Sequence, residues 1–291
     1  MRKIRKAVIT TAGLGTRFLP VTKAIPKSML PVVDRPIIDY IVDEVVAAGL
    51  EEAVIVVGSN AEVVKRHFEK DAALEERLIS DGKTELLAAL RAVSARVKIT
   101  FVTQTVMNGL AGALLCAEEA IGGEPFALLL GDEIIHAAAG ETPCIRRLCD
   151  VTEKTERSVV AAMRVSEEEI CKYGNIGVAK DGDVKEVYDF IEKPSPAERL
   201  SDYAIIGRYA FTPEIFGEIR KLKMHGNEII LTEAFRSLAE KGRISAAEFA
   251  GKRYDVGDKF GYVQANAEYA LRDEHIGAEM AEYLKKLKIG L

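Results

Sequence analysis

Four short apolar runs, KAVITT (6–11), EAVIVVG (52–58), KITFVTQ (98–104) and PFALLLGDE (125–133), punctuate the first half of the chain. Amphipathic stretches separate them: PIIDYIVDEVVAAG (36–49), KRHFEKDAALEERL with ELLAALRAV (65–78, 85–93), and GALLCAEEAI (112–121). In the first of these, Ile37, Ile41 and Val45 fall on one helical face, Pro36 suits a first turn and Gly49 a stop. Strands that are apolar throughout, rather than on alternate residues, need cover on both faces, and helices between them supply it. The pattern predicts an α/β, Rossmann-like, mostly parallel but mixed sheet with helices on both faces.

The second half is less regular. SVVAAMRV (158–165) and YAIIGRYAF (203–211) read as strands, and residues 172–194 as a small antiparallel excursion with an Asp-Gly-Asp turn. Helices return at LTEAFRSLAEKG (231–242) and from about Asp258 to the end. With no internal repeat and no linker, one continuous domain over 1–291 is expected, its halves dividing near residues 135 and 136. The net charge of −5 argues against a nucleic-acid partner, and no apolar run approaches the roughly 18 residues of a membrane span. The basic start MRKIRKAVITT leads into an apolar run too short for a signal peptide, and Cys116, Cys144, Cys149 and Cys171 form no C-x-x-C pair. A soluble cytoplasmic protein with reduced thiols is expected.

After the first strand comes AGLGTRFLPVTKAIPKSMLPVVDRP, Ala12 to Pro36. Prolines at 20, 26, 31 and 36 forbid a sustained helix, so a loop of about two dozen residues is expected, of a length that is usually functional. Gly13 and Gly15 let backbone N–H groups approach an anion, although G-x-G alone is weak. Phe18 and Pro20 deny the third glycine and the immediate helix of a dinucleotide fingerprint, which weakens a reductase reading, and no GxxxxGK[ST] loop exists. Arg17, Lys23 and Lys27 beside a strand end instead point to a polyphosphate.

This loop resembles the signature loop of the sugar-1-phosphate nucleotidyltransferases, and specifically of bacterial UTP–glucose-1-phosphate uridylyltransferases. The likeness reappears at Gln104, Gly131-Asp132, YGNIGV, IEKP, AIIGRYAF, GNEIILTEA and YDVGDKFGY, in order along most of the chain. It implies a fold of the nucleotide-diphospho-sugar transferase type and a Mg²⁺-dependent reaction of UTP with glucose-1-phosphate, giving UDP-glucose and pyrophosphate. By the same resemblance, Ala12, Gly13, Gly15, Thr16, Gln104 and Gly109 bind the nucleotide, with Gln104 facing the imide edge of the base. Arg17 neutralises the leaving pyrophosphate, and Lys27 the reacting phosphates. Asp132 and Asp255 hold the metal, with Glu133 the alternative to Asp132 and Asp258 the better helix cap than Asp255. Gly174 and Glu192 meet the sugar, and Lys193 its phosphate. Pro194 is expected to hold Lys193 in an extended backbone. Family habit and the helical C-terminal segments imply a homodimer or homotetramer.

The chain departs from the family at two places. Relatives carry Glu where it has Ser28, and Gly-His where it has Ala111-Gly112, both bordering the expected nucleotide pocket. A thymidylyl or other pyrimidine transferase on another hexose phosphate therefore stays open. So does a catalytically silent regulatory paralogue.

Overall fold

The structure, a computed structural model, describes residues 2–58 and 61–287. Strand β1 (Lys6–Thr10) leads into the proline-rich segment. That segment is not a plain loop: it folds into single 3₁₀ turns at Thr16–Phe18, Val21–Lys23 and Lys27–Met29, then a two-residue ribbon of β2 (Pro31–Val32) and β3 (Arg35–Pro36). Pro20 and Pro26 stand at the N-caps of the second and third turns, where a missing N–H costs nothing.

Helix α1 (Ile37–Ala47) buries Ile37, Ile41 and Val45, and Gly49, at φ +69°, follows its end. After β4 (Glu52–Val57), the expected helix over 65–78 divides into α2 (Ala61–Phe68) and α3 (Ala72–Ser80). The division falls at Asp71, whose carboxylate caps α3 by accepting from Leu74 N at 3.0 Å. Next come α4 (Thr84–Ala95), β5 (Lys98–Thr103), α5 (Gly109–Ile121), β6 (Phe126–Leu130), β7 (Glu133–His136) and α6 (Cys144–Thr155). The second half contributes β8 (Ser158–Arg164), β9 (Gly174–Lys180), β10 (Lys185–Glu192), β11 (Tyr203–Phe211), α7 (Glu214–Ile219), α8 (Leu231–Glu240), β12 (Ile244–Glu248) and β13 (Lys252–Asp255). The expected C-terminal helix is two, α9 (Lys259–Arg272) and α10 (Gly277–Lys286), and its last residues lie outside those described. Asp258 caps α9 through Phe260 N and Gly261 N.

One nine-stranded sheet runs β5-β4-β1-β6-β11-β8-β12-β10-β9. The first four strands pair in parallel, β11 then runs antiparallel to both β6 and β8, and β12 returns parallel to β8. Alternate residues of β1 feed two cores: Ala7 and Ile9 pack with α1, α6 and α9, and Val8 with α5, α7 and α8. The β9–β10 hairpin is no excursion; it continues the sheet to its far edge. Outside the sheet, β7 pairs antiparallel with β13, in the register Asp255↔Glu133.

Candidate functional site

The carboxyl ends of β1 and β6 lie side by side, which is where an open parallel sheet places its ligands. Gly131 N donates to Thr10 O at 3.0 Å, and a Cβ on Gly131 would stand 2.4 Å from that oxygen, so only glycine permits the approach. Beyond these ends opens a cavity of about 640 Å³ that Ala12, Gly13, Gly15, Thr16, Gln104 and Gly109 help to line, together with Lys27 and Asp132. Gly15, at φ +63°, has Thr22 Cγ2 3.0 Å from where its Cβ would be, so the loop's own packing demands it. A Cβ on Gly13 would meet nothing within 4 Å, so the protein's own packing does not demand glycine there.

A second cavity, of about 240 Å³, adjoins the first and shares Leu110, Leu130 and Glu228 with it. Gly174 and Glu192 line it, with Tyr173 and Thr232. Thr232 Oγ1 donates to Glu192 Oε2 at 2.5 Å, orienting the carboxylate from helix α8. The structure overturns the extended backbone expected of Lys193, which has φ +44°. Its N–H donates to Tyr173 O at 3.0 Å, one step past the Glu192↔Gly174 pair, and the chain turns sharply there into Pro194. Ladder pairing overrides the proline's local preference, at a cost typical of strained functional backbone. Lys193 Nζ consequently lies 3.9 Å from Glu192 Oε1.

Lys27 Nζ donates to Asp132 Oδ2 at 2.7 Å. Asp255 arrives from β13, and its Oδ1 accepts from Gly257 N at 3.1 Å. A Cβ on Gly257 would stand 2.9 Å from Asp132 Oδ2 and 3.1 Å from Asp255 Oδ1, so a single gap that glycine leaves open separates the two carboxylates. Burial raises the Asp255 pKa; Glu133 and Asp132 add to the rise and Arg253 opposes it. Two crowded acids around a gap fit a hard divalent cation. Mg²⁺ commonly takes one or two carboxylates and completes its shell with water and substrate phosphates, and no group of three or more metal-ligating side chains exists among the described residues. Glu133, the alternative ligand, is committed elsewhere. It is buried, accepts from Arg253 Nη2 at 2.7 Å and from Gly207 N at 3.0 Å.

Arg17 lines neither cavity; it is exposed, and its Nη1 reaches Gly257 O at 3.3 Å, beside the two aspartates. Lys23 is exposed. Sequence reasoning assigned no role to Glu228 or Thr232, although both lie in GNEIILTEA, or to Asn108 and Arg253. Ser28 is 2% exposed, borders the larger cavity, and its Oγ has no partner among the described residues.

The nucleotidyl transferase family matches residues 6–272. The chain is 44% identical over 289 residues to a UTP–glucose-1-phosphate uridylyltransferase of Bacillus subtilis, covering 99% of this chain and 98% of that protein. Among solved structures, a UDP-glucose pyrophosphorylase complexed with UDP-glucose superposes with a TM-score of 0.84 at 37% identity, over 93% of this chain and 100% of that one. A UTP-bound UGPase from Acinetobacter baumannii does so with a TM-score of 0.91 at 31% identity, over 98% and 100%.

Proposed function

The chain belongs to the nucleotidyl transferase family, and on that premise we propose that it transfers a uridylyl group from UTP to glucose-1-phosphate, giving UDP-glucose and pyrophosphate. The observation that carries the reading is the pair of adjoining cavities beside the Lys27–Asp132 pair. In this reading the nucleoside triphosphate occupies the larger and the hexose the smaller.

In this reading an oxygen of the sugar phosphate attacks the α-phosphorus in line, the new P–O bond forms, and the bond to the β-phosphate oxygen breaks. The nucleophile is already anionic, so the chemistry needs no strong base; it needs two polyanions brought together. Gly13 and Gly15 offer backbone N–H groups to the phosphates, Lys27 neutralises the reacting phosphates, and Arg17 reaches toward the leaving pyrophosphate. Glu192, held by Thr232, accepts from sugar hydroxyls, the Gly174 backbone borders the ring, and Lys193, which follows Glu192 outside the cavity lining, offers its ammonium to the sugar phosphate. Asp132 and Asp255 would hold Mg²⁺, which supplies charge neutralisation on the phosphate oxygens.

Residues up to about 135 then form the nucleotide half and residues 136–291 the sugar half of one domain; Asn227 and Glu228 cross that line to border the larger cavity. Cytoplasmic residence is supported by the nucleotide substrate and by the buried, unpaired Cys144 and Cys149. A homodimer or homotetramer is supported by α9, which leaves Phe260 76% and Val263 63% exposed. The test is a pyrophosphate-release panel of four nucleoside triphosphates against several hexose-1-phosphates. Turnover confined to UTP and glucose-1-phosphate is expected. Preference for dTTP or another hexose would replace the substrate assignment, and binding without turnover would make the chain a silent paralogue.

A further inference from the structure

We propose that Asn108 locks the Gln104 amide with its oxygen toward the nucleotide cavity, and so makes the site prefer an imide base, uracil or thymine, over cytosine. The inference rests on the nucleotide reading above and adds a positioning residue to it.

Gln104 follows β5 and is only 5% exposed, yet it borders the larger cavity. Its Nε2 donates to Gly109 O at 3.2 Å and to Asn108 Oδ1 at 3.1 Å. A backbone carbonyl can only accept, so the group facing Gly109 must be the NH₂, and the amide's orientation is settled. Both amide protons are thus used within the protein. Oε1, to which no described residue donates, is left to the cavity as a pure acceptor. Between its two carbonyls a uracil or thymine ring carries N3–H, a donor. Cytosine presents a lone pair there, which opposes a fixed acceptor.

Two further observations single out Asn108. It is the residue preceding α5, a position where an asparagine usually caps the helix, but its side chain makes no capping bond and serves Gln104 instead. Its amide also occupies the space beside Gly112: a Cβ there would lie 1.6 Å from Asn108 Oδ1 and 2.3 Å from Asn108 Cγ. The Asn108 rotamer that holds Gln104 therefore exists only because residue 112 has no side chain.

The experiment compares kcat/KM for UTP and CTP, each with glucose-1-phosphate, in the unaltered chain and in Asn108→Ala, Gly112→Ala and Asn108→Asp. Removing one of the two acceptors that hold the amide should lower the UTP-to-CTP ratio roughly three- to tenfold, the range of one neutral hydrogen bond. Gly112→Ala expels the Asn108 amide and should lower the ratio alike, whereas Asn108→Asp keeps an acceptor oxygen and should hold it. A purely structural role would reduce both substrates together and leave the ratio unmoved. An unchanged ratio in Asn108→Ala, with UTP still turned over by the unaltered chain, overturns this inference alone. No turnover of UTP by the unaltered chain overturns the proposed function and takes this inference with it.

Discussion

Lys27 Nζ lies 2.7 Å from Asp132 Oδ2, an ion pair that ties the proline-rich segment to the carboxyl end of β6. Asp132 is 36% exposed at its side chain, so the pair adds little to stability, about 1 kcal/mol or less. In the proposed reading its value lies in placing a cation where phosphates are to react. Lys27→Ala should therefore cut kcat/KM on the order of 10²-fold while the melting temperature barely moves. Arg17→Ala should follow it, and the exposed Lys23→Ala should cost much less. Steady-state kinetics decide, and a dominant loss at Lys23 would mean that the loop is wrongly registered on the phosphates.

Asp132 and Glu133 are neighbours with opposite expected phenotypes. Asp132→Asn keeps the shape and removes the charge, so it should nearly abolish turnover at saturating Mg²⁺ in a well-folded protein. Glu133→Ala removes the nearest partner of the Arg253 guanidinium, whose side chain is 8% exposed, leaving it Asp255 Oδ2 at 3.3 Å and Tyr173 Oη at 3.2 Å, and it leaves Gly207 N without its acceptor. Because Arg253 keeps a second carboxylate, the cost is that of lost buried hydrogen bonds, about 1–3 kcal/mol, and the variant should melt lower. Thermal melts set beside activity separate the two; an active, destabilised Asp132→Asn would exchange the assignments.

Asp255 sets a pH dependence. Its pKa is raised from 3.8, first by burial and then by Glu133 and Asp132. The folded chain thus binds this proton more tightly than the unfolded chain does. Ionisation of Asp255 consequently costs stability as pH rises from the ordinary carboxylate range through the folded value, and the cost is complete above it. Asp255→Asn should remove that cost: without metal, the variant gains on the unaltered chain as pH climbs from about 4 toward 7. Mg²⁺ with UTP should raise the melting temperature of the unaltered chain more than that of the variant. A gap between the two that narrows or reverses with rising pH would contradict the sign.

Ser28 Oγ is buried beside the larger cavity and has no partner among the described residues. An unpaired buried hydroxyl costs about 1–3 kcal/mol, which a bound nucleotide can recover. Ser28→Ala should therefore stabilise the free chain slightly and raise KM for UTP several-fold, with kcat little changed. Calorimetry of UTP binding checks it, and unweakened binding would remove Ser28 from the nucleotide contacts.

Much of this protein was legible in its residues because the relevant forces act over short stretches of chain. The apolar runs at 6–11, 52–58, 98–104 and 125–133 became β1, β4, β5 and β6; β1, β4 and β6 are buried along nearly their whole length, as strands covered on both faces are, and β5, at the sheet edge, is half-buried. Ile37, Ile41 and Val45 defined the buried face of α1, and Asp258 announced the start of α9, because helix periodicity and capping are local. The break at Asp71 obeyed the same capping chemistry but was masked by the good helix formers around it, Glu69 and Lys70 before and Ala72 and Ala73 after. What the sequence left open depends on partners distant along the chain. Strand β12 reads as an alanine-rich stretch and becomes a strand only between β8 and β10. The four-residue pairing of β7 with β13 has no periodicity to announce it, yet its register delivers Asp255 to Asp132 around Gly257. Lys193 takes a left-handed backbone that Pro194 disfavours, because the ladder bond to Tyr173 O outweighs that preference. Residue types and short-range geometry settled which groups were present and which elements carried them. Non-local pairing, whose free energy no single segment contains, decided which of them meet.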